Sequence, residues 1–323
     1  MSAPAAPQPA PARTWTSTLE RDGMAMTATV HEPTTPDDAA PTVLCLHGFP
    51  DTSATFGPLA ERLATAGHRV VCPTLRGYEP SSIAPDGDYH LSTLAGDVIG
   101  WLDHLGLDQA HLFGHDWGAC VAYATAAGHP ERLRSVTASS VPPLRAIRRV
   151  AGRSPHQIAA LWYQAVFQVP GLSERLLTRD RAAFAELLWR RWSPGWELPK
   201  AHLQNVQEAL CRPGVAAATL SYYRQQLHRR GAPARATAAL LSRSTEVPAL
   251  VLAGADDRCL LAQIYPDAVA GGGFTAGVDL HVLEGVGHFP HLEQPDTVAE
   301  LVLAHITRHG STRHDGEPPT SAS

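Results

Sequence analysis

Several things are missing from this chain of 323 residues, and each absence removes a class of function. No apolar run approaches the roughly 20 residues that a membrane-crossing helix needs, so no membrane partner is expected. The charge is modest, with 18% charged residues and a net charge of −5. Without a basic excess there is no electrostatic footprint for nucleic acid, and none is expected as a partner. Cysteine is scarce and odd in number: Cys45, Cys72, Cys120, Cys211 and Cys259, with no Cys-x-x-Cys spacing. That excludes a disulfide framework, and the thiols in apolar runs (Cys45, Cys72, Cys120) read as reduced and buried in a cytoplasmic protein. Residues 1–13 are Ala/Pro-rich and lack the basic and apolar regions of a secretory signal, so they read as a disordered tail. Residues 309–323 are polar and read as a second tail. No internal repeat is visible. The 44% hydrophobic content suffices for one large core, or a core with an inserted subdomain.

What is present is an alternation. Thr16–Glu20 and Met24–His31 read as strands around the turn Arg21-Asp22-Gly23. Thr42–Leu46 is a continuous apolar run, as in a strand buried on both faces. Strands are then expected at Arg69–Cys72, Ala110–Phe113, Leu133–Ala138, Ala249–Ala253 and Val278–Val282. Helices are expected at Leu59–Ala66, Leu91–Leu105 and Asp296–Ile306. Alternating units of this kind build an α/β fold with a mostly parallel central sheet and helices on both faces. Residues 142–245 break the pattern. They read as helices near Pro155–Phe167, Leu172–Leu177, Ala182–Trp192, Lys200–Leu210 and Val215–His228, carrying Trp162, Trp189, Trp192 and Trp196. The expected organisation is a core of 14–141 and 246–308 with a helical lid inserted at 142–245. Most of those tryptophans are expected only to hold the lid together.

The chemistry is carried by Gly114-His115-Asp116-Trp117-Gly118, set between a strand and a small-residue helix. Gly-x-nucleophile-x-Gly in that context is a nucleophile elbow, here with a carboxylate in place of a hydroxyl. A carboxylate needs no deprotonation; it can displace at an sp³ carbon and leave an alkyl-enzyme ester. Hydrolysing that ester takes an activated water, and histidine is the usual base. Of 17 histidines, His288 in Gly285-Val286-Gly287-His288-Phe289-Pro290 is best placed, after the last strand. His104, His129, His156 and His202 read as surface residues, and His291 lies beyond the turn. An acid must fix the imidazole. Asp256 and Asp257 both end the penultimate strand, and spacing alone does not choose between them. His47-Gly48-Phe49-Pro50 follows the strand Thr42–Leu46, where the backbone N–H groups of Phe49 and Trp117 can converge on an oxyanion.

Together these pieces resemble the α/β-hydrolase family, and within it the epoxide hydrolases, over about Trp15 to His309. The matching segments are His47-Gly48-Phe49-Pro50, Arg76-Gly77-Tyr78 with Pro80-Ser81, the Asp116 elbow, Gly254-Ala255-Asp256-Asp257 and Gly287-His288-Phe289-Pro290. The resemblance implies Asp257 as the acid. It implies that two lid tyrosines donate to the epoxide oxygen. Trp162-Tyr163-Gln164-Ala165-Val166-Phe167-Gln168 resembles the first tyrosine segment. Ser221-Tyr222-Tyr223-Arg224 resembles the second, with Ser221 and Tyr222 departing from the usual Asn-Trp. It points to Tyr163 and Tyr223, with Tyr222 the alternative to the latter. His47, Pro50 and Trp162 are the expected substrate contacts. The implied reaction takes a small hydrophobic epoxide and water to a vicinal diol, with no metal or organic cofactor, and leaves room for a homodimer.

Two rivals share the pattern. A dehalogenase on the same scaffold would need N–H donors for a departing halide, and Phe49 stands where haloalkane dehalogenases often carry a polar residue. A ligand-binding relative would have kept the fold and lost the activity. Arg145, Arg148, Arg149 and Arg153 form a basic cluster at the start of the lid that reads as a solvated helix face.

Overall fold

The computed structural model describes residues 13–37, 39–227 and 230–310. The expected first tail lies outside these apart from Arg13, as do His228 and all but the first two residues of the expected second tail. Eight strands form one sheet: β1 (Thr14–Arg21), β2 (Met24–His31), β3 (Thr42–Leu46), β4 (Arg69–Pro73), β5 (Ala110–His115), β6 (Leu133–Ser139), β7 (Ala249–Gly254) and β8 (Val278–Leu283). Their spatial order is β1-β2-β4-β3-β5-β6-β7-β8. β1 and β2 form an antiparallel ribbon joined antiparallel to β4, and the remaining pairings are parallel. β3 and β5 are buried along their whole length, as continuous apolar strands covered on both faces must be.

The core helices are α1 (Gly57–Thr65), α2 (Leu91–His104) and α3 (Trp117–Gly128). The chain after β6 forms α4 (Leu144–Ala151), α5 (Pro155–Ala160), α6 (Trp162–Phe167), α7 (Leu172–Thr178), α8 (Ala183–Trp192), α9 (Lys200–Leu210), α10 (Val215–Leu227) and α11 (Ala232–Ser242) before it returns to β7. α12 (Tyr265–Ala270), α13 (Pro290–Glu293) and α14 (Pro295–His309) complete the molecule. One apolar cluster holds α1 and α14 against β3, β4, β5 and β7 through Leu59, Leu63, Val298 and Val302. A larger one on the other side takes in α2, α3 and the inserted helices. The helix expected at Pro155–Phe167 is two helices, divided where Leu161 leaves helical geometry (φ −87°, ψ 16°). α14 runs on to His309, the first residue of the expected second tail. α11 and α12 were not foreseen.

The topology selects the place for a site. From β3 the chain steps outward to β4, then crosses to β5 on the other side of β3. The carboxyl ends of β3 and β5 therefore face a switch point, where connections diverge and leave a crevice. The loops after β6, β7 and β8 open on the same edge because these strands are parallel.

Candidate active site

Asp116 stands between β5 and α3 with φ 50° and ψ −116°, a conformation that L-residues rarely adopt. The turn is sharp enough that its neighbours must be glycine. A Cβ on Gly114 would strike the Gly118 backbone, and one on Gly118 would strike the Leu46 carbonyl. Gly48 has the same constraint: its Cβ would strike Asp116 and come within 2.7 Å of the Trp117 nitrogen. The β3 loop thus lies directly on the elbow. The Phe49 N–H donates to Asp116 Oδ1 at 2.8 Å. Trp117 is the first residue of α3, so its N–H has no acceptor within the helix.

His288 lies on the other side of Asp116, with Nε2 3.5 Å from Oδ2. Its Nδ1 meets Asp257 Oδ2 at 2.8 Å. Asp257 Oδ1 accepts from the N–H groups of Cys259 (2.6 Å) and Leu260 (3.1 Å), which turns the side chain inward. Asp256 is exposed, so only Asp257 meets the imidazole. His288 is fully buried, which opposes charge, but the Asp257 and Asp116 carboxylates outweigh burial and push its pKa up to about 10. Resting His288 is therefore an imidazolium between two carboxylates.

The His288 backbone is held as firmly as its ring. Its carbonyl accepts from His115 Nε2 (2.8 Å) and Ser140 Oγ (2.7 Å), and its N–H donates to Ser193 Oγ (2.9 Å). Burial, with the His288 charge beside it, holds His115 down at about 4, so its ring is neutral. Glu293 accepts from the Gly287 N–H, the Phe289 N–H and Ser193 Oγ, closing the loop into one unit. Ser140, Ser193, Glu293 and Cys259 escaped the sequence reading. Of these, Cys259, two residues past Asp257, and Glu293, three residues past Pro290, stood close enough to a motif to be suspected.

The inserted helices supply an aromatic roof. Tyr163 and Tyr223 lie 6.0 Å apart between ring centroids. Tyr223 packs edge-on against Trp117 (5.0 Å) and Phe49 (5.5 Å), and Tyr163 against Trp192, which in turn packs on His288 at 5.0 Å. Tyr163 Oη is 3.4 Å from Cys259 Sγ, and Tyr223 Oη is buried with no partner. Burial first, with Cys259 and Asp116 adding for Tyr163 and with Tyr163 and Asp116 adding for Tyr223, raises both hydroxyls well above their ordinary range and keeps them protonated. Tyr222 donates its hydroxyl to the Arg76 carbonyl at 2.7 Å, so it is already spent. Asp116 itself is only 6% exposed, and the roof closes over it.

Other expected residues fall elsewhere. His47 spends Nδ1 on the Gly48 carbonyl and Nε2 on the Leu75 N–H, so it braces the loop and has no nitrogen left for a ligand. Pro50 is buried and accepts from Trp189 Nε1 through its carbonyl. Trp162 packs against Tyr163 and Phe184 at 6.5 and 6.0 Å. Trp189 and Trp192 do more than hold the insertion together: Trp189 stacks on Phe289 at 3.9 Å, and Trp192 meets His288. His202 is not a surface residue, since its side chain is 11% exposed and pairs with Asp51 at 2.8 Å. His129 is half-buried, while His104 and His156 are exposed. Arg145 and Arg149 line an open cleft of about 370 Å³ with Ala270, Gly271 and Gly273, away from Asp116. Asp51, His115 and His291 are the one group of donor atoms among the described residues close enough to share a metal ion, within 4.8 Å of one another. None of the three is Asp116, His288 or Asp257. No helix among the described residues is long and apolar enough to cross a membrane.

A family model described as alpha/beta hydrolase fold matches residues 41–295. The AB hydrolase superfamily protein YfhM of Bacillus subtilis is 27% identical over 281 residues, covering 86% of this chain and 94% of its own. Epoxide hydrolase A of Mycobacterium tuberculosis is 28% identical over 308 residues, covering 84% and 92%. The crystal structure of epoxide hydrolase VrEH1 from Vigna radiata superposes with a TM-score of 0.74 at 25% identity, covering 91% of this chain and 98% of that one.

Proposed function

Because this chain belongs to the α/β-hydrolase fold family, and its elbow carries a carboxylate where an acyl-transfer enzyme carries a hydroxyl, we propose that it is an epoxide hydrolase working through an ester on Asp116. The observation that carries the reading is the pair of contacts on that carboxylate. The Phe49 N–H pins Oδ1 at 2.8 Å, and His288 Nε2 stands 3.5 Å from Oδ2. Oδ1 is then the future carbonyl oxygen, and Oδ2 is the attacking atom.

Oδ2 displaces at a ring carbon, the ring C–O bond breaks, and its electron pair goes to oxygen. That oxygen takes a proton from Tyr163 or Tyr223, and the tyrosinate recovers one from the His288 imidazolium. Alkylation also discharges Asp116, one of the two carboxylates that hold His288 charged, so the imidazole becomes a neutral base when it is needed. His288, oriented by Asp257, then deprotonates a water that attacks the ester carbonyl. The oxyanion rests on the Phe49 and Trp117 N–H groups. A vicinal diol leaves, with one oxygen taken from Asp116. The inserted helices act as a lid that keeps the site dry. With Asp116 almost fully covered, substrate access requires that lid to move. The small hydrophobic epoxide is the substrate class that an aromatic roof favours. The names of the similar proteins support the same reaction.

One observation favours a dehalogenase: the buried Trp192 Nε1–H has no partner and would suit a halide. Two buried tyrosine hydroxyls weigh more heavily for a leaving oxygen. His288→Gln decides between the two. Incubated with an aryl epoxide, it is expected to gain the mass of one substrate on the Asp116 peptide, because the ester forms and is not hydrolysed. No adduct from epoxides, with halide released by the wild type from haloalkanes, would overturn the proposal.

A further inference from the structure

Cys259 sits two residues beyond Asp257 and is fully buried. Its N–H donates to Asp257 Oδ1, its Sγ lies against Tyr163 Oη, and its carbonyl accepts from Gln157 Nε2 at 2.8 Å. Gln157 is fully buried on α5, and its Oε1 accepts from the Leu261 N–H at 2.8 Å. One residue therefore touches both the carboxylate behind His288 and the phenol on α6. Either atom of the 3.4 Å phenol–thiol contact can be the donor; the O–H is the stronger donor of the two, and Gln164 Nε2, donating to Tyr163 Oη at 3.5 Å, favours the arrangement that offers the phenol proton to sulfur.

We propose that Cys259 is a positioning residue for ring opening, holding the Tyr163 proton on a weak acceptor that the substrate oxygen displaces. The role rests on the epoxide-hydrolase reading. A phenol in a dry site must donate to something, and an oxygen acceptor would compete with the substrate's own oxygen. A thiol sulfur accepts weakly, so exchanging it for an oxygen that becomes an alkoxide favours the transition state over the resting state. Burial, with the Asp257 and Asp116 charges adding to it, raises the Cys259 pKa well above the ordinary thiol value and keeps it a thiol. It therefore does not compete with Asp116 for the electrophile.

The test is stopped-flow single turnover with styrene oxide on the full chain, reading alkylation as a quench of tryptophan fluorescence and hydrolysis as its recovery. Cys259→Ser puts a stronger oxygen acceptor in the same place. It is expected to slow alkylation about tenfold, the worth of one hydrogen bond, while hydrolysis changes less than about twofold. Cys259→Ala, which leaves the phenol with no acceptor to hold it until the epoxide arrives, is expected to slow alkylation by about threefold, less than Cys259→Ser does, the worth of a weak hydrogen bond. Gln164→Leu approaches from the opposite side at a half-buried position; it is expected to slow alkylation alone, and it decides the matter if Cys259→Ser does not fold. Alkylation at the wild-type rate in Cys259→Ser would overturn the role. So would an equal loss in both steps accompanied by a lower melting temperature, the signature of a merely structural residue. A wild type that shows neither quench nor diol would overturn the hydrolase reading and this role with it.

Discussion

The residue that organises the site is Asp116, and its backbone shows why. A non-glycine residue at φ 50° is held there only when its surroundings dictate it, here by three glycines that admit no side chain. Asp116 and His288 were legible because residue type and chain order together specify them. Asp257 was legible only through resemblance. Two adjacent aspartates end the same strand, and the path of the loop, with the Cys259 and Leu260 N–H groups turned to Asp257, decides which points inward. Tyr222 and Tyr223 pose the same difficulty. Both are buried on α10, and only the contact of Tyr222 with Arg76 separates them. The electrostatics of His288 can be checked directly. Its pKa is raised to about 10, above the unfolded value near 6.5, so the stability gained from its charge is complete below that unfolded value. It is lost as pH rises through the folded pKa. Nitrogen-15 NMR is expected to find the ring protonated at pH 8. Asp116→Asn, which removes one carboxylate, should lower the pKa. An unchanged titration in that variant would mean that Asp116 does not hold the proton.

At the scale of elements, β3, β5 and β7 could be read from apolar runs, because a strand covered on both faces has no alternative pattern to confuse it, whereas β1 and β2, partly exposed, were read from the turn between them. Short helices were harder. α5 and α6 read as one helix because the composition runs on through Leu161. The break follows from tertiary contacts, since Gln157 reaches across to the Cys259 carbonyl and the Leu261 N–H. α11 is alanine-rich, with Ala234 its one buried residue, so it lacks the apolar stripe that announces a helix. The junction of β5 and α3 is where an element can be tested. In Gly118→Ala the new methyl must push into the Leu46 carbonyl, which is backbone and cannot swing aside. The expected loss is about 1–3 kcal/mol by urea denaturation, with a larger fractional loss of activity because the loop after β3 carries Phe49. Full activity in that variant would contradict the close packing of β3 on the elbow.

The whole molecule is a core and an insertion stitched together beside the site. Trp189 Nε1 bonds the Pro50 carbonyl at 2.7 Å, His202 pairs with Asp51, and Thr52 donates to Asn205 Oδ1 at 2.8 Å. Each seam meets the loop that carries Phe49, so a shift of these helices is transmitted to the Phe49 N–H. No sequence pattern announces these seams, since they pair residues more than 130 positions apart. On the far side Tyr222 rests on the Arg76 carbonyl, and Arg76, 1% exposed, forms a two-pronged pair with Asp97 at 2.6 Å for each bond. Removing one partner of a buried pair strands the other. Asp97→Ala is expected to cost about 3–5 kcal/mol by chemical denaturation, and a cost below about 1 kcal/mol would mean that the pair is effectively solvated. The chemistry, in turn, belongs to the assembled enzyme. The most direct measurement is one turnover in ¹⁸O-labelled water, with enzyme in excess over an aryl epoxide and both diol and protein analysed by mass spectrometry. The expected result is unlabelled diol, with the label left on Asp116. Labelled diol from that first turnover would mean that water attacks the ring directly, and would contradict an ester on Asp116.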